Sequence, residues 1–199
     1  LLEMSRDSGM IVMGSRGLGG LSGMVLGSVS GAVVSHANCP VVVVREDNNV
    51  TEETKYGPIV VGIDGSEVSR RATEVAFEEA QARGAELIAV HTWIDTQVQA
   101  PGAGFAVSED RWKEAHDEKS ELLENYLSEL GRTYPDVQVK KVITRDRPVR
   151  ALTEAAQGAQ LLITGSHGRG GFKGMLLGST SRALLQSAPC PMMVVRPQS

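Results

Sequence analysis

The chain repeats itself: residues 1–45 align without a gap on residues 152–196, at an offset of 151 positions. Twenty of the 45 aligned pairs are identical, and every glycine from Gly14 to Gly27 falls on another glycine. Such a correspondence indicates the duplication of a folding unit rather than a bias in composition. Residues 46–151 lie between the two aligned stretches, and this sequence contains no equivalent of them before residue 1. We therefore expect one complete unit together with the C-terminal third of another.

A polar, aperiodic segment separates the two copies and predicts a linker. We divide the chain into a first copy at residues 1–46, a linker at 47–56 and a complete second copy at 57–199. The chain begins without Met, and doubling the repeat offset predicts a parent protein of roughly 290–300 residues. The first copy alone should add only a helix and strands to the second.

The composition excludes several classes of protein. With 41% hydrophobic and 22% charged residues, the chain has enough apolar side chains to fold. A net charge of −4 gives no general attraction to nucleic acid or to an anionic membrane. A membrane-spanning helix needs about 18 consecutive apolar residues, and no apolar run approaches this length. No leader peptide is visible. Two cysteines cannot form a disulfide scaffold, so we expect a cytoplasmic protein.

The second copy alternates short apolar runs with helical patterns, which predicts an α/β fold. Strands joined through helices should be parallel, in a doubly wound, five-stranded, Rossmann-like sheet. In such a sheet the ligand crevice lies at the carboxyl ends of the strands, where the strand order reverses. The predicted strands are Ile59–Ile63, Leu87–Val90, Val137–Ile143, Leu161–Thr164 and Pro191–Val195.

A glycine-rich loop follows the fourth predicted strand. It reads Gly165-Ser-His-Gly168, and after nine further residues Gly178-Ser179 opens the last helix. Glycines let a backbone approach a ligand closely, and free N–H groups at a helix start attract phosphate. The same glycines could equally form a plain tight turn. Neither the P-loop nor the dinucleotide-binding fingerprint is present.

The spacing Gly-x-x-Gly-x9-Gly-Ser resembles the ATP-binding motif of the universal stress protein family. It occurs at Gly165 and again at Gly14, and Val60-Val-Gly-Ile-Asp-Gly-Ser66 is similar to that family's opening strand. The Cys-Pro and Val-Val pairs that end both copies are also common in it. The resemblance covers nearly the whole chain and implies a fold like that of the adenine nucleotide alpha hydrolases.

By resemblance, the ligand would be ATP, alone or with Mg²⁺, and Asp64 would be the one residue placed to contact the metal ion. Backbone atoms of Val90 and His91 would face the adenine. The remaining implied contacts run from the adenosine end to the phosphates, and they are Gly62, Ile63, Asp64, Gly165, Ser166, His167, Gly168, Arg169, Gly178, Ser179 and Thr180.

The resemblance also implies that the two copies join through their last strands as a pseudo-dimer, and that such chains form homo-oligomers. It implies a stress regulator that binds ATP. Because no set of catalytic residues stands out in the sequence, we expect no catalytic cycle. Two alternatives stay open: a slow ATP hydrolase on the same fold, and an interaction module with purely structural glycine loops. The histidines lack metal-ligand spacing, and Cys39 and Cys190 are better explained as buried residues than as a redox switch. The sequence identifies no protein partner.

Overall fold

In the computed structural model of the protein, the described residues are 1–16, 26–48, 51–92, 109–168 and 176–197, without the side chains of residues 53, 109–119 and 122. The strands are β1 (Ile11–Gly14), β2 (Val41–Val44), β3 (Ile59–Ile63), β4 (Leu87–Thr92), β5 (Val139–Thr144), β6 (Leu161–Gly165) and β7 (Met192–Val195). The helices are α1 (Ser28–His36), α2 (Glu52–Lys55), α3 (Glu67–Arg83), α4 (Glu109–Thr133), α5 (Pro148–Ala155) and α6 (Ser179–Ser187), preceded by a 3₁₀ turn at Met4–Arg6.

All seven strands form one sheet in the order β1-β2-β7-β6-β3-β4-β5. The five strands predicted for the second copy are present and parallel, and β1 and β2 extend the sheet to seven strands. The second copy contributes β7-β6-β3-β4-β5, all parallel, and its strand order reverses between β3 and β6. The ends of these two strands thus flank the crevice that a doubly wound sheet offers to a ligand.

The strands β2 and β7 pair antiparallel, and theirs is the one antiparallel step in the described sheet. Val42 lies opposite Met193, and both side chains are buried. The expected pairing of the two last strands is thereby confirmed. The last strands of the two copies therefore run in opposite directions at this seam.

Helices cover both faces of the sheet, as doubly wound folds require. One buried cluster joins α1, α5 and α6 to the sheet and includes Val34, Leu152 and Leu184. The other joins α3 and α4 to the opposite face and includes Phe77 and Leu127. Alternate residues along β3, β6 and β7 contribute to the two clusters, so these central strands are almost entirely apolar, whereas β5 at the edge carries Lys140 and Lys141.

The predicted ends of several helices are confirmed. Gly84 ends α3 in a left-handed conformation, with φ of 60°, where a glycine avoids the strain of a side chain. Pro148 occupies the first turn of α5, where its missing N–H would have had no helical partner. The segment predicted as a linker holds one short helix, α2, whose cap Thr51 exchanges hydrogen bonds with Thr54. No described helix is long and apolar enough to cross a membrane.

Gly57 sets the distance between the starts of β3 and β6. A Cβ atom at this position would lie 1.9 Å from the carbonyl oxygen of Gly158, which is backbone and cannot swing away. We predict that Gly57→Ala lowers the free energy of unfolding by roughly 1–3 kcal/mol, as overpacking does. Urea unfolding followed by circular dichroism measures it.

Gly131 in α4 is the matched control, because a Cβ atom there meets nothing within 4 Å. Gly131→Ala should leave the stability unchanged or raise it by up to about 1 kcal/mol, since alanine favours helix. Equal stability of the two variants would contradict the close approach at Gly57.

Candidate functional site

The turn after β3 is held in place by hydrogen bonds within the chain segment itself. The Oδ1 atom of Asp64 accepts a hydrogen bond of 2.9 Å from the N–H of Ser66, and Gly65 adopts a φ of 80° that favours glycine. Ser66 then caps α3, because its hydroxyl accepts from the N–H of Ser69 at 3.2 Å. The turn thus fixes the Asp64 carboxylate at the carboxyl end of β3.

Ser69 is a site residue that the sequence reasoning missed. Its buried hydroxyl accepts hydrogen bonds from the N–H groups of Asp64 and Gly65, at 3.4 and 3.2 Å, and donates to the carbonyl of Ser66. These hydrogen bonds satisfy two backbone N–H groups and one carbonyl group of the turn. The sequence signal was available, because Ser66-x-x-Ser69 has the spacing of a helix cap and its third helical residue.

The end of β6 packs directly against the start of α3. A Cβ atom on Gly165 would lie 3.0 Å from Cγ1 of Val68 and 3.3 Å from the backbone nitrogen of Ser69. Only glycine lets the two segments approach this closely. The next residue, Ser166, is completely buried and donates its N–H to the carbonyl of Val195 at 2.7 Å.

The start of α6 closes back onto the end of β6. Gly178 donates its N–H to the carbonyl of Ser166 at 2.7 Å, and the hydroxyl of Ser181 donates to the carbonyl of Gly165 at 2.7 Å. The N-cap of this helix is Gly178, and no described side chain forms a capping hydrogen bond with its first N–H groups. Ser179 is exposed at this end, and Thr180 is half-buried.

The two halves of the site meet at Gly168. A Cβ atom there would lie 2.1 Å from Oδ2 of Asp64, so the loop after β6 passes directly over the carboxylate after β3. His167 lies beside the start of α6, because a Cβ on Gly178 would approach its Cα to 3.2 Å. Its ring nitrogen Nδ1 is 3.0 Å from the hydroxyl of Ser166.

On the far side of β3, the structure shows more of β4 than the sequence predicted. The strand continues to Thr92, two residues beyond the predicted end at Val90. Val90 is buried and paired with Gly62, and the Nδ1 atom of His91 is 2.7 Å from the carbonyl oxygen of Ile63. The imidazole of His91 therefore lies across the end of β3, although the sequence reasoning considered only its backbone.

The structure brings most of the predicted residues together at this edge of the sheet. The ends of β3 and β6 and the start of α6 lie side by side, while Val90 sits within β4 rather than at its end. Arg169 lies outside the described residues. The residues gathered here are Gly62, Ile63, Asp64, Gly165, Ser166, His167, Gly168, Gly178, Ser179 and Thr180.

The first copy repeats the backbone of this site. Gly27 donates to the carbonyl of Ser15 at 2.9 Å, Ser15 donates to Val44 at 2.8 Å, and the Ser30 hydroxyl donates to Gly14 at 2.9 Å. These bonds match, position by position, those of Gly178, Ser166 and Ser181. However, β1 is the outermost strand, and Gly14 and Val12 are exposed where the second copy has β3 and α3.

The comparison with known proteins agrees with this geometry. A model of the universal stress protein family matches residues 1–45 and 55–196. The universal stress protein Rv2005c of Mycobacterium tuberculosis is 46% identical over 198 residues, which cover 98% of this chain and 64% of that relative. The chain belongs to the universal stress protein family. It spans a little under two thirds of the length of that relative.

Solved structures of the family share the fold. A universal stress protein from Archaeoglobus fulgidus DSM 4304 is 26% identical with a TM-score of 0.69, over 100% of this chain and 65% of that one. A universal stress protein solved in complex with cAMP is 25% identical with a TM-score of 0.52, over 71% of this chain and 98% of that one.

Metal binding and cysteine reactivity are the other two kinds of chemistry considered for this family member. Among the described residues, no group of three His, Cys, Asp or Glu side chains could hold a metal ion by itself. Cys39 and Cys190 are both buried, 6% and 5% exposed, as the sequence predicted. Burial raises the pKa of the Cys39 thiol and raises the pKa of Cys190 to about 12.

We predict that the native protein resists alkylation. With a pKa of about 12, only about one Cys190 thiol in ten thousand is ionised at pH 8, and the thiolate is the reactive form. Iodoacetamide at pH 8, followed by mass spectrometry, should leave Cys190 unmodified in the native protein and label it after unfolding in guanidinium. Rapid labelling of native Cys190 would contradict its burial.

Proposed function

We propose that the chain binds ATP at the carboxyl edge of the second copy, and that bound ATP favours one conformation or assembly of a stress regulator. The observation that carries this proposal is the contact of the Asp64 turn with the glycine loop at Gly168, beside the uncapped start of α6. The Asp64 carboxylate, the backbone at Gly168 and the N-terminus of α6 meet at the point where the strand order reverses.

The phosphate end of the ligand would lie at the start of α6. Backbone N–H groups of Ser179 and Thr180 are at the positive end of the helix dipole, and their hydroxyls add further donors. Each such contribution is modest, about 0.3–1 kcal/mol, so a polyphosphate that engages several of them at once is favoured. Arg169, outside the described residues, is proposed to add positive charge.

The adenosine end would lie over the ends of β3 and β4. Asp64 is proposed to accept hydrogen bonds from the ribose, and His91 and the neighbouring backbone would face the adenine. The family member solved with cAMP supports an adenine nucleotide as the ligand class. The choice of ATP within that class rests on the Gly-x-x-Gly-x9-Gly-Ser spacing.

Magnesium would be held mainly by the ligand. Mg²⁺ commonly takes one or two protein carboxylates together with phosphate oxygens and water. Asp64 can serve as that carboxylate, because its Oδ2 atom lies on the side of the glycine loop while Oδ1 accepts from Ser66. Asp64→Asn should therefore weaken the dependence of ATP affinity on Mg²⁺ without abolishing it, and titration calorimetry with and without Mg²⁺ measures the change.

We further propose a regulator rather than an enzyme, acting in the cytoplasm and forming homo-oligomers. Turnover of ATP well above that of an Asp64→Ala control would favour the hydrolase alternative. Adenine nucleotide that co-purifies with the protein, detected by mass spectrometry, would argue against a pure interaction module.

We predict one ATP per chain, although the glycine motif occurs twice. Isothermal titration calorimetry should give a stoichiometry close to one, because the described part of the first copy supplies no counterpart of Asp64. No heat of binding in the folded protein would contradict the proposal, and two equivalent sites would contradict the assignment to the second copy.

The two copies offer a matched pair of variants. Gly165→Glu should abolish ATP binding, because a side chain would press against Val68 and fill the loop. Gly14→Glu, at the equivalent but exposed position, should leave ATP affinity unchanged.

Gly168→Ala tests the same site with less risk to folding. Within the described part of the chain, its Cβ would meet only the Asp64 carboxylate, which can rotate, so the fold should persist while ATP affinity falls about tenfold. Normal affinity in both Gly165→Glu and Gly168→Ala would overturn the site.

A further inference from the structure

The segment that follows each last strand reaches across the seam to the other copy. After β2, the Nδ2 atom of Asn48 donates a hydrogen bond of 3.2 Å to the carbonyl of Ala188, the residue that ends α6. After β7, the guanidinium of Arg196 donates to the carbonyl of Ser35, in the last turn of α1. The two contacts are similar, since the segment after each last strand holds the C-terminal end of the helix that precedes the other last strand.

Asn48 is itself fixed in place. It is only 8% exposed, its Oδ1 atom accepts from the N–H of Arg45 at 2.8 Å, and its own N–H donates to the carbonyl of Arg45. Arg45 directly follows β2, whose last residue Val44 holds the glycine loop of the first copy through Ser15. Asn48 therefore connects the end of α6 to the framework of the first copy.

The helix α6 is thereby held at both ends. Gly178 and Ser181 tie its N-terminal end to the loop after β6, and Asn48 ties its C-terminal end. Leu184 and Leu185 bury its middle in the core. Because a helix of nine residues moves as a rigid rod, a shift at Ala188 also displaces the N–H groups at Ser179 and Thr180.

We propose that Asn48, in the linker shortly after β2, is a positioning residue for the nucleotide site of the second copy. It acts through α6 and touches no part of the ligand. The consequence for ATP rests on the proposed function, whereas the mechanical link through α6 does not. The start of the linker thus helps to set the phosphate-binding end of the second copy.

Hydrogen exchange of the full chain, without nucleotide, tests the link. In Asn48→Ala the amides of α6 should exchange about fivefold to tenfold faster, as expected for loss of one buried hydrogen bond. Asn48→Asp should do the same, because it keeps an acceptor for Arg45 but has no amide to donate to Ala188. Arg196→Met should speed exchange in α1 and leave α6 unchanged.

Asn38 supplies a matched control. Its Nδ2 atom donates to the hydroxyl of Ser5, so this hydrogen bond stays within the first copy. Asn38→Ala should leave α6 exchange at the wild-type rate. Unchanged α6 exchange in both Asn48 variants would overturn the proposal, whatever the protein binds.

Calorimetric titration with ATP then tests the consequence for binding. The Kd for ATP should rise about fivefold to tenfold in Asn48→Ala and stay unchanged in Asn38→Ala. Faster α6 exchange with an unchanged Kd would show that the link exists but does not position the site, which overturns the role proposed for Asn48. Failure of the wild-type protein to bind ATP would refute the proposed function, and the exchange result would still decide the link.

Discussion

The closure of the glycine loop onto the end of β6 is the interaction on which the candidate site depends. Ser181 donates a 2.7 Å hydrogen bond to the carbonyl of Gly165, which ends β6, and Gly178 donates one of 2.7 Å to the carbonyl of the next residue, Ser166, so the start of α6 lies beside the strand-order reversal. The equivalent bonds from Gly27 and Ser30 in the first copy show that this closure belongs to the repeated unit. What distinguishes the second copy is the neighbouring β3, which brings Asp64 under the loop.

The antiparallel seam of β2 and β7 makes the two copies one folded body. Apolar strands with an unpaired edge invite association, and here each last strand covers the edge of the other. The contacts from Asn48 and Arg196 extend this seam to the ends of both last helices. The segment that follows β2 can therefore influence the site of the second copy through α6.

Much of this arrangement could be predicted from the sequence. The repeat, the alternation of strands and helices and the glycine spacing located the crevice, and β3 and α6 have the predicted bounds. The extension of β4 and the short helix α2 were not predicted. Ser69 was missed although the helix-cap spacing Ser66-x-x-Ser69 was visible in the sequence. Asn48 was missed because only the fold brings its side chain to the carbonyl of Ala188, 140 residues away.

The family explains the fold, while the ligand has to be argued from the site. The Asp64 turn, the backbone at Gly168 and the start of α6, which no described side chain caps, form one edge of the sheet, and a helix start of this kind favours phosphate. The most direct test of this account is a crystal structure of the chain grown with ATP and Mg²⁺. It should show the phosphates at Ser179 and Thr180, the adenosine over the ends of β3 and β4, and no nucleotide at the first copy. ATP bound at the first copy, or a site left empty at saturating ATP, would contradict it.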